Sequence, residues 1–293
     1  MIRRIAFAWL LAAIAALALA ACGRGAGDNT SGKLRVVTTL EIFADFARNV
    51  GGDRVAVTAL LPPGADPHTY ELAPGQVAEI ARADVIFVNG LDFEEAALGA
   101  IERNAPADAP VVTLSEGLTP LDGNPHFWLD VTFAMRYVER IRDALSDIDP
   151  EGEPTYAARA DDYLAQLEAL DADFRAAMER IPPERRKLVT FHDAFPYLAA
   201  RYGLEVVAVV VKSPGREPSA ADVAELARRL REQDVPAVFK EPQFNARVLE
   251  LAARDAGVEV RELYSDALSS EAPTYIDMMR FNLRQLTEGL GGA

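Results

Sequence analysis

Apolar and polar positions along this chain follow a helical period most clearly between residues 154 and 181. Apolar side chains recur there at alternating spacings of four and three, which places them on one face of a helix. Pro154 suits the first turn, and Pro182 and Pro183 end the helix by removing hydrogen-bond donors. The apolar positions are Tyr156, Ala160, Tyr163, Leu167, Leu170, Phe174, Ala177 and Ile181. We therefore predict one long helix of roughly 40 Å.

On both sides of this helix, short apolar runs alternate with segments of helical period. Such alternation indicates parallel sheets with helical crossovers. We therefore predict an α/β protein of two lobes, each with a mainly parallel sheet flanked by helices, joined by the long helix. The lobes would cover residues 33–150 and 183–293, with the linker at residues 151–182. A single domain with a long surface helix is the alternative.

The individual elements follow from the same patterns. Strands are predicted at residues 34–39, 55–61, 85–88, 111–114, 188–191, 204–211, 237–239 and 258–260. Helices are predicted at residues 42–50, 76–83, 93–103, 131–145, 193–202, 221–233, 245–256 and 275–290. The mainly apolar run 204–211 is typical of a parallel strand that is buried on both faces. Asp130 is well placed to cap the helix that begins at Val131.

The first residues have the pattern of a secretory signal rather than of a folded element. Arg3 and Arg4 precede a short apolar segment, which indicates a signal peptide over residues 1–21. The sequence that ends in Cys22 resembles the bacterial lipobox, in which the cysteine is lipidated after cleavage. A cysteine buried in an apolar helix is the alternative. We expect an extracytoplasmic protein anchored to a membrane through Cys22, with a flexible tether over residues 22–32.

Charge and cysteine content narrow the classes of function. The formal net charge is −15, and removing the two arginines of the signal segment makes it −17. This excess of acidic residues argues against nucleic acid as a partner, because binding nucleic acid requires a basic surface. Cys22 is the only cysteine in the chain, so no disulfide is available within it. An acidic surface is compatible with cations, although it also simply favours solubility.

The chain has only three histidines, and each follows a predicted strand. They are His68, His126 and His192. Each alone has an ordinary explanation in a loop or a core, but ligands of parallel α/β sheets bind where the strands end. If the lobes face each other, the three imidazoles meet in the cleft, where three imidazoles and one carboxylate would suit zinc. Asp266 and Glu241 both lie at the same sheet edge, and spacing does not choose between them as the fourth ligand.

Several motifs together resemble the metal-binding substrate-binding lipoproteins of bacterial ABC importers, the zinc and manganese family. The resemblance covers nearly all of the chain after the signal segment, in order. Its motifs lie at residues 67–71, 124–130, 190–197, 203–204, 213–219, 239–243 and 264–266. It implies two α/β lobes joined by a long helix, with one metal ion in the cleft. The ligands that it implies are His68, His126, His192 and Asp266.

One residue within the motifs of this resemblance indicates which metal ion is bound. Manganese importers of this family typically have a glutamate where this chain has His192, and carboxylates suit the harder Mn²⁺. Three histidines therefore favour Zn²⁺. Many zinc importers also carry a histidine-rich loop before the second ligand, whereas residues 115–123 are short and contain no histidine. A manganese or mixed zinc and manganese binder is the alternative.

The resemblance implies a binding protein and not an enzyme. It would capture the metal ion outside the membrane and deliver it, as a monomer, to an ABC permease with its cytoplasmic ATPase. Glu71 or Glu241 would accept the far N–H of a histidine. Trp128 would either line the pocket or pack in the core. A surface adhesin and a zinc hydrolase are the rival functions, although the hydrolase motifs H-E-x-x-H and G-x-S-x-G are absent.

Overall fold

The computed structural model describes residues 32–211 and 219–291. The signal segment, Cys22 and most of the loop 213–219 lie outside the described residues, so the predictions made for them are not addressed by the structure. The described residues from Leu34 onward form one compact unit with two four-stranded sheets. All strands within each sheet run parallel and are connected by helical crossovers. The strands are β1 (Leu34–Thr38), β2 (Val55–Ala59), β3 (Val85–Val88), β4 (Val111–Thr113), β5 (Lys187–His192), β6 (Glu205–Val211), β7 (Ala237–Lys240) and β8 (Glu259–Glu262).

The two sheets have the same strand order. It is β2-β1-β3-β4 in the N-terminal half and β6-β5-β7-β8 in the C-terminal half. In each sheet the chain moves from the first strand to one side and then returns to the other side. The carboxyl ends of the first and third strands therefore flank a switch point, which is where open α/β sheets bind their ligands.

Nine helices of the described residues connect and cover the sheets. They are α1 (Glu41–Gly51), α2 (Pro74–Ile80), α3 (Glu95–Asn104), α4 (Val131–Ile148), α5 (Glu153–Glu179), α6 (Pro196–Tyr202), α7 (Ala220–Glu232), α8 (Arg247–Ala256) and α9 (Tyr275–Gly291). Asp130 caps α4 as predicted, because its carboxylate accepts a hydrogen bond from the backbone N–H of Thr132 at 2.8 Å. Among the described residues, none of the helices is both long and apolar enough to cross a bilayer.

The long helix α5 has 27 residues and buries the predicted apolar stripe from Tyr156 to Ala177, while Ile181 is buried just beyond its end. It packs against α1 and α4 of the N-terminal half and against α6 and α9 of the C-terminal half. Polar contacts add to this packing, since Asp171 accepts hydrogen bonds from the Arg201 guanidinium at 2.7 and 3.0 Å. The predicted architecture of two α/β lobes joined by a long helix is confirmed, whereas the exact domain boundaries stay predictions.

Two predictions about local structure were wrong. The apolar run 204–211 forms β6, which is an edge strand and not a fully buried one, so that Val206 is 40% exposed. The pattern of a run does not specify how many neighbours a strand has. The helix predicted at residues 193–202 begins only at Pro196, because residues 193–195 lead out of β5 and Pro196 fits the first helical turn.

Candidate metal centre

His192 is the last residue of β5 and is held there by Glu241, which follows β7 directly. Glu241 Oε1 lies 2.9 Å from His192 Nδ1, and Glu241 Oε2 accepts the backbone N–H of His192 at 3.1 Å. The Ser265 hydroxyl also donates to Glu241, at 2.6 Å. Because an ionised carboxylate only accepts, it holds a proton on Nδ1, so that Nε2 is the nitrogen that faces the cleft.

Asp266 lies beyond the end of β8 and is buried beside His192. Its Oδ1 atom lies 3.6 Å from His126 Nε2. The Gln243 side-chain amide points toward the other oxygen, Oδ2, at 3.4 Å and donates to Ser265 Oγ at 2.8 Å. Oδ2 of Asp266 therefore has a polar neighbour, whereas Oδ1 has no hydrogen-bond partner among the described residues and is free to bind a cation.

His126 belongs to the irregular segment before a single 3₁₀ turn at Phe127–Leu129. Asn124 Oδ1 accepts the backbone N–H of His126 at 3.0 Å and lies 2.9 Å from its Nδ1. The imidazole is fully buried, with its ring centroid 5.3 Å from that of Trp128. As with His192, the Nδ1 side of the ring is occupied and the Nε2 side faces the cleft.

His68 lies in the loop between β2 and α2, and it is the least buried of the four residues. Its backbone N–H donates to Asp66 Oδ1 at 3.0 Å. Its ring contacts Phe93 edge-on at 4.9 Å between centroids, and it lies about as close to the rings of His126 and His192. A cavity of about 520 Å³ leads from solvent to these three histidines.

The four side chains converge on one point. One ligand atom from each of His68, His126, His192 and Asp266 lies within 4.8 Å of the others. The Nε2 atoms of the three histidines and Oδ1 of Asp266 are buried and make no hydrogen bond to any described residue. Buried polar atoms are normally paired, so four unpaired atoms facing each other are the arrangement expected of a metal site.

The protonation of these residues differs between the two halves of the chain. Burial lowers the pKa of His68 to about 4 and holds the pKa of His126 well below its usual range. Burial also acts to lower the pKa of His192, but the charge and the hydrogen bond of Glu241 outweigh it and raise that pKa to about 9. Burial raises the pKa of Asp266 to about 7, against the effect of His192. His192 and Asp266, from the C-terminal half, therefore bind protons near neutral pH, whereas His68 and His126 do not.

The supporting residues are only partly those predicted from the sequence. Glu241 contacts His192 as expected, but Glu71 is exposed and none of the described contacts joins it to a histidine. Trp128 is fully buried in the core and also borders His126, so both interpretations of it apply. Sequence reasoning missed Asn124 and Gln243, although both lie in the motifs that carried the resemblance.

Comparisons with known proteins agree with this architecture. Residues 36–289 match the family model described as "ZnuA: Zinc-uptake complex component A periplasmic". The manganese-binding lipoprotein MntA of Halalkalibacterium halodurans is 34% identical over 98% of this chain and 99% of its own length. The iron-binding protein YfeA of Yersinia pestis is 31% identical over 99% of this chain and 97% of its own length.

A solved structure shows the same fold. The periplasmic zinc-binding protein TroA of Treponema pallidum aligns with a TM-score of 0.81 and 32% identity, over 89% of this chain and 100% of that one. The match to the family model spans nearly all of the described residues. The chain therefore belongs to the ZnuA family of periplasmic metal-binding proteins.

Proposed function

We propose that this protein captures Zn²⁺ outside the cytoplasm and delivers it to the permease of an ABC importer, which its ATPase would drive. The observation that carries this proposal is the set of four unpaired, converging donor atoms on His68, His126, His192 and Asp266. Three imidazole nitrogens and one carboxylate oxygen form a four-coordinate set that suits zinc. These side chains would be the zinc ligands.

The same donor set favours binding over catalysis. A catalytic zinc site keeps one position open for water or substrate, whereas four protein ligands complete a tetrahedral shell. We therefore propose that the protein carries out no covalent chemistry and that Zn²⁺ is its cargo. The adhesin and the hydrolase are the alternatives that this proposal displaces.

The metal itself needs an experiment, because the similar proteins are named for manganese, iron and zinc. The purified full chain is stripped of metal, offered equal Zn²⁺ and Mn²⁺, and analysed by elemental mass spectrometry. We expect close to one zinc ion per chain and little manganese. Absence of both metals would overturn the binding function.

Manganese is the second candidate, because MntA covers almost the whole of this chain at 34% identity. Manganese in the equal-metal experiment would establish it. The His192→Glu variant gives a further test, since adding a carboxylate makes the site harder and should move its preference toward Mn²⁺. If zinc preference survives that change unaltered, ligand identity does not select the metal.

The location of the protein is part of the proposal. The similar proteins include substrate-binding lipoproteins of ABC transporters, among them PsaA of Streptococcus anginosus. The signal pattern and Cys22 support secretion followed by anchoring through a lipid on that cysteine. Labelling of cells with a radioactive fatty acid should mark the wild-type protein and not the Cys22→Ala variant.

A further inference from the structure

We propose that Asn124 is a positioning residue for metal capture, an inference that rests on the proposed function. It fixes the tautomer of His126 and attaches this residue to the C-terminal half of the protein. In consequence His126, His192 and Asp266 form a three-ligand half-site before metal arrives, and His68 joins it last.

The orientation of the Asn124 amide follows from its contacts. Its Nδ2 group donates to the backbone carbonyl of Asp193 at 2.6 Å, and its Oδ1 atom accepts the backbone N–H of His126 at 3.0 Å. Turning the amide over would place two acceptors together at Asp193 and two donors together at His126. Because Oδ1 only accepts, the His126 proton must lie on Nδ1, 2.9 Å away. The Nε2 lone pair is then directed at the cleft.

The same contacts attach the His126 segment to the opposite half of the chain. The hydroxyl of Tyr197, on α6, donates to the backbone carbonyl of Asn124 at 2.6 Å and accepts the backbone N–H of Leu121 at 3.0 Å. The Trp128 indole donates to the carbonyl of Ser265 at 2.8 Å, next to Asp266. His126 belongs to the N-terminal half by sequence, and its segment is held from both halves, because the Asn89 side chain also donates to the Pro125 carbonyl at 3.0 Å.

The four ligands differ in how their remaining polar atoms are occupied. Asn124 occupies Nδ1 of His126, Glu241 occupies Nδ1 of His192, and Gln243 approaches Oδ2 of Asp266. Among the described residues, nothing forms a hydrogen bond to the ring of His68. Three ligands are thus oriented by partners and one is not.

Within the described residues, the loop that carries His68 forms only local hydrogen bonds. The hydrogen bonds found for residues 62–72 all go to partners between residues 60 and 76. None of these bonds reaches the C-terminal half within the described chain, in contrast to the segment around His126. Movement of this loop would therefore remove one ligand and leave the other three in place.

The tautomer is measured first, in metal-free protein labelled with ¹⁵N-histidine. The chain has only three histidines, so single His→Gln variants assign the signals. We expect His126 to carry its proton on Nδ1 in the wild type. The Asn124→Ala variant should mix the tautomers, and Asn124→Asp should restore the wild-type tautomer because a carboxylate oxygen again faces the ring.

Zinc affinity is then measured by competition with a chelator. Loss of such a supporting residue typically costs 10-fold to 100-fold in metal affinity, and we expect a loss of about that size for Asn124→Ala. The Asn124→Asp variant should lie between the wild type and Asn124→Ala, because its carboxylate keeps an acceptor at His126 Nδ1 but loses the hydrogen bond to the Asp193 carbonyl. The matched control is Asn104→Ala, because the Asn104 amide donates to the Ala100 carbonyl within α3 and contacts no ligand. Its zinc affinity should equal that of the wild type.

The order of assembly is tested with two ligand variants. If three ligands are held in place, His68→Ala still binds one zinc ion per chain with weakened affinity, whereas His126→Ala loses far more. An unchanged tautomer and affinity in Asn124→Ala, a mixed tautomer in Asn124→Asp, or equal losses in His68→Ala and His126→Ala would each overturn the inference. Absence of zinc binding by the wild type would instead refute the proposed function itself.

Discussion

The two sheets share one strand order, and each has a buried glutamate at its switch point. In the N-terminal sheet this residue is Glu94, which accepts the backbone N–H groups of Asn89 at 2.6 Å and Gly90 at 3.1 Å. The hydroxyl of Thr39, which follows β1, donates to it at 2.9 Å. Glu94 therefore joins the ends of the first and third strands and contacts no ligand directly.

In the C-terminal sheet the corresponding residue is Glu241. It also joins the ends of the first and third strands, but the residue that it contacts at the end of the first strand is His192. The same topological position thus holds a structural carboxylate in one half and, in the other, a carboxylate that orients the proposed ligand His192. The two glutamates differ in the residue that they contact at the end of the first strand, which is Thr39 in the N-terminal sheet and His192 in the C-terminal sheet.

The halves also differ in how they present ligands. Of the proposed ligands, the C-terminal half supplies His192 from a strand end and Asp266 from the connection after β8, whereas the N-terminal half supplies His68 and His126 from connections that follow β2 and β4. The histidines of the two halves also differ in how readily they bind protons, because the pKa of His192 is raised and those of His68 and His126 are lowered. Experiments that separate the two halves are therefore the most informative.

The largest expected effect is that of pH on zinc affinity. Zinc displaces the proton of His192 below pH about 9 and that of Asp266 below pH about 7. Each displaced proton costs up to about tenfold in affinity per pH unit. Affinity should therefore fall as pH drops from 8 to 5, by up to about 10⁵-fold. Calorimetry in buffers of different ionisation enthalpy counts the released protons. A zinc affinity independent of pH would contradict the binding of protons by His192 and Asp266.

The next effect is that of removing the C-terminal glutamate. Glu241→Ala leaves His192 without its partner, so we expect a loss in zinc affinity of about 10-fold to 100-fold. Chelator competition measures this loss. An affinity equal to that of the wild type would show that the position of His192 does not depend on Glu241.

Removing the N-terminal glutamate should act on stability instead. Glu94→Ala leaves the buried N–H of Asn89 and the hydroxyl of Thr39 without an acceptor, which costs about 1–3 kcal/mol in the free energy of unfolding for each of these groups. Urea unfolding of the metal-free protein measures this cost. Zinc affinity of the folded variant should stay within about threefold of the wild type. A loss like that of Glu241→Ala would mean that the two positions are functionally equivalent.

The smallest effect concerns the edge of the C-terminal sheet. Val206 in β6 is 40% exposed, whereas Val85 in β3 is fully buried. We expect Val206→Thr to change the free energy of unfolding by about 0.5 kcal/mol or less. The same change at Val85 should cost clearly more, because it buries a hydroxyl group. Comparable losses in thermal unfolding would show that β6 is covered in solution.

The sequence by itself determined the elements and the chemistry that they carry. The spacing of apolar residues along α5 defined its buried face, and three histidines placed after strands indicated a site at the sheet edges. These signals are local, since a helical period or a strand run is set by neighbouring residues. For the same reason the pattern did not show that β6 is an edge strand.

Only the tertiary structure decided how those side chains are used. Spacing left Asp266 and Glu241 equivalent as carboxylates, and the fold places Asp266 in the cluster and Glu241 behind His192. It also brings Asn124 to His126 and to the C-terminal half, a role that its sequence position does not reveal. Such roles depend on contacts between segments far apart in the chain, and no local pattern specifies which partner a side chain meets.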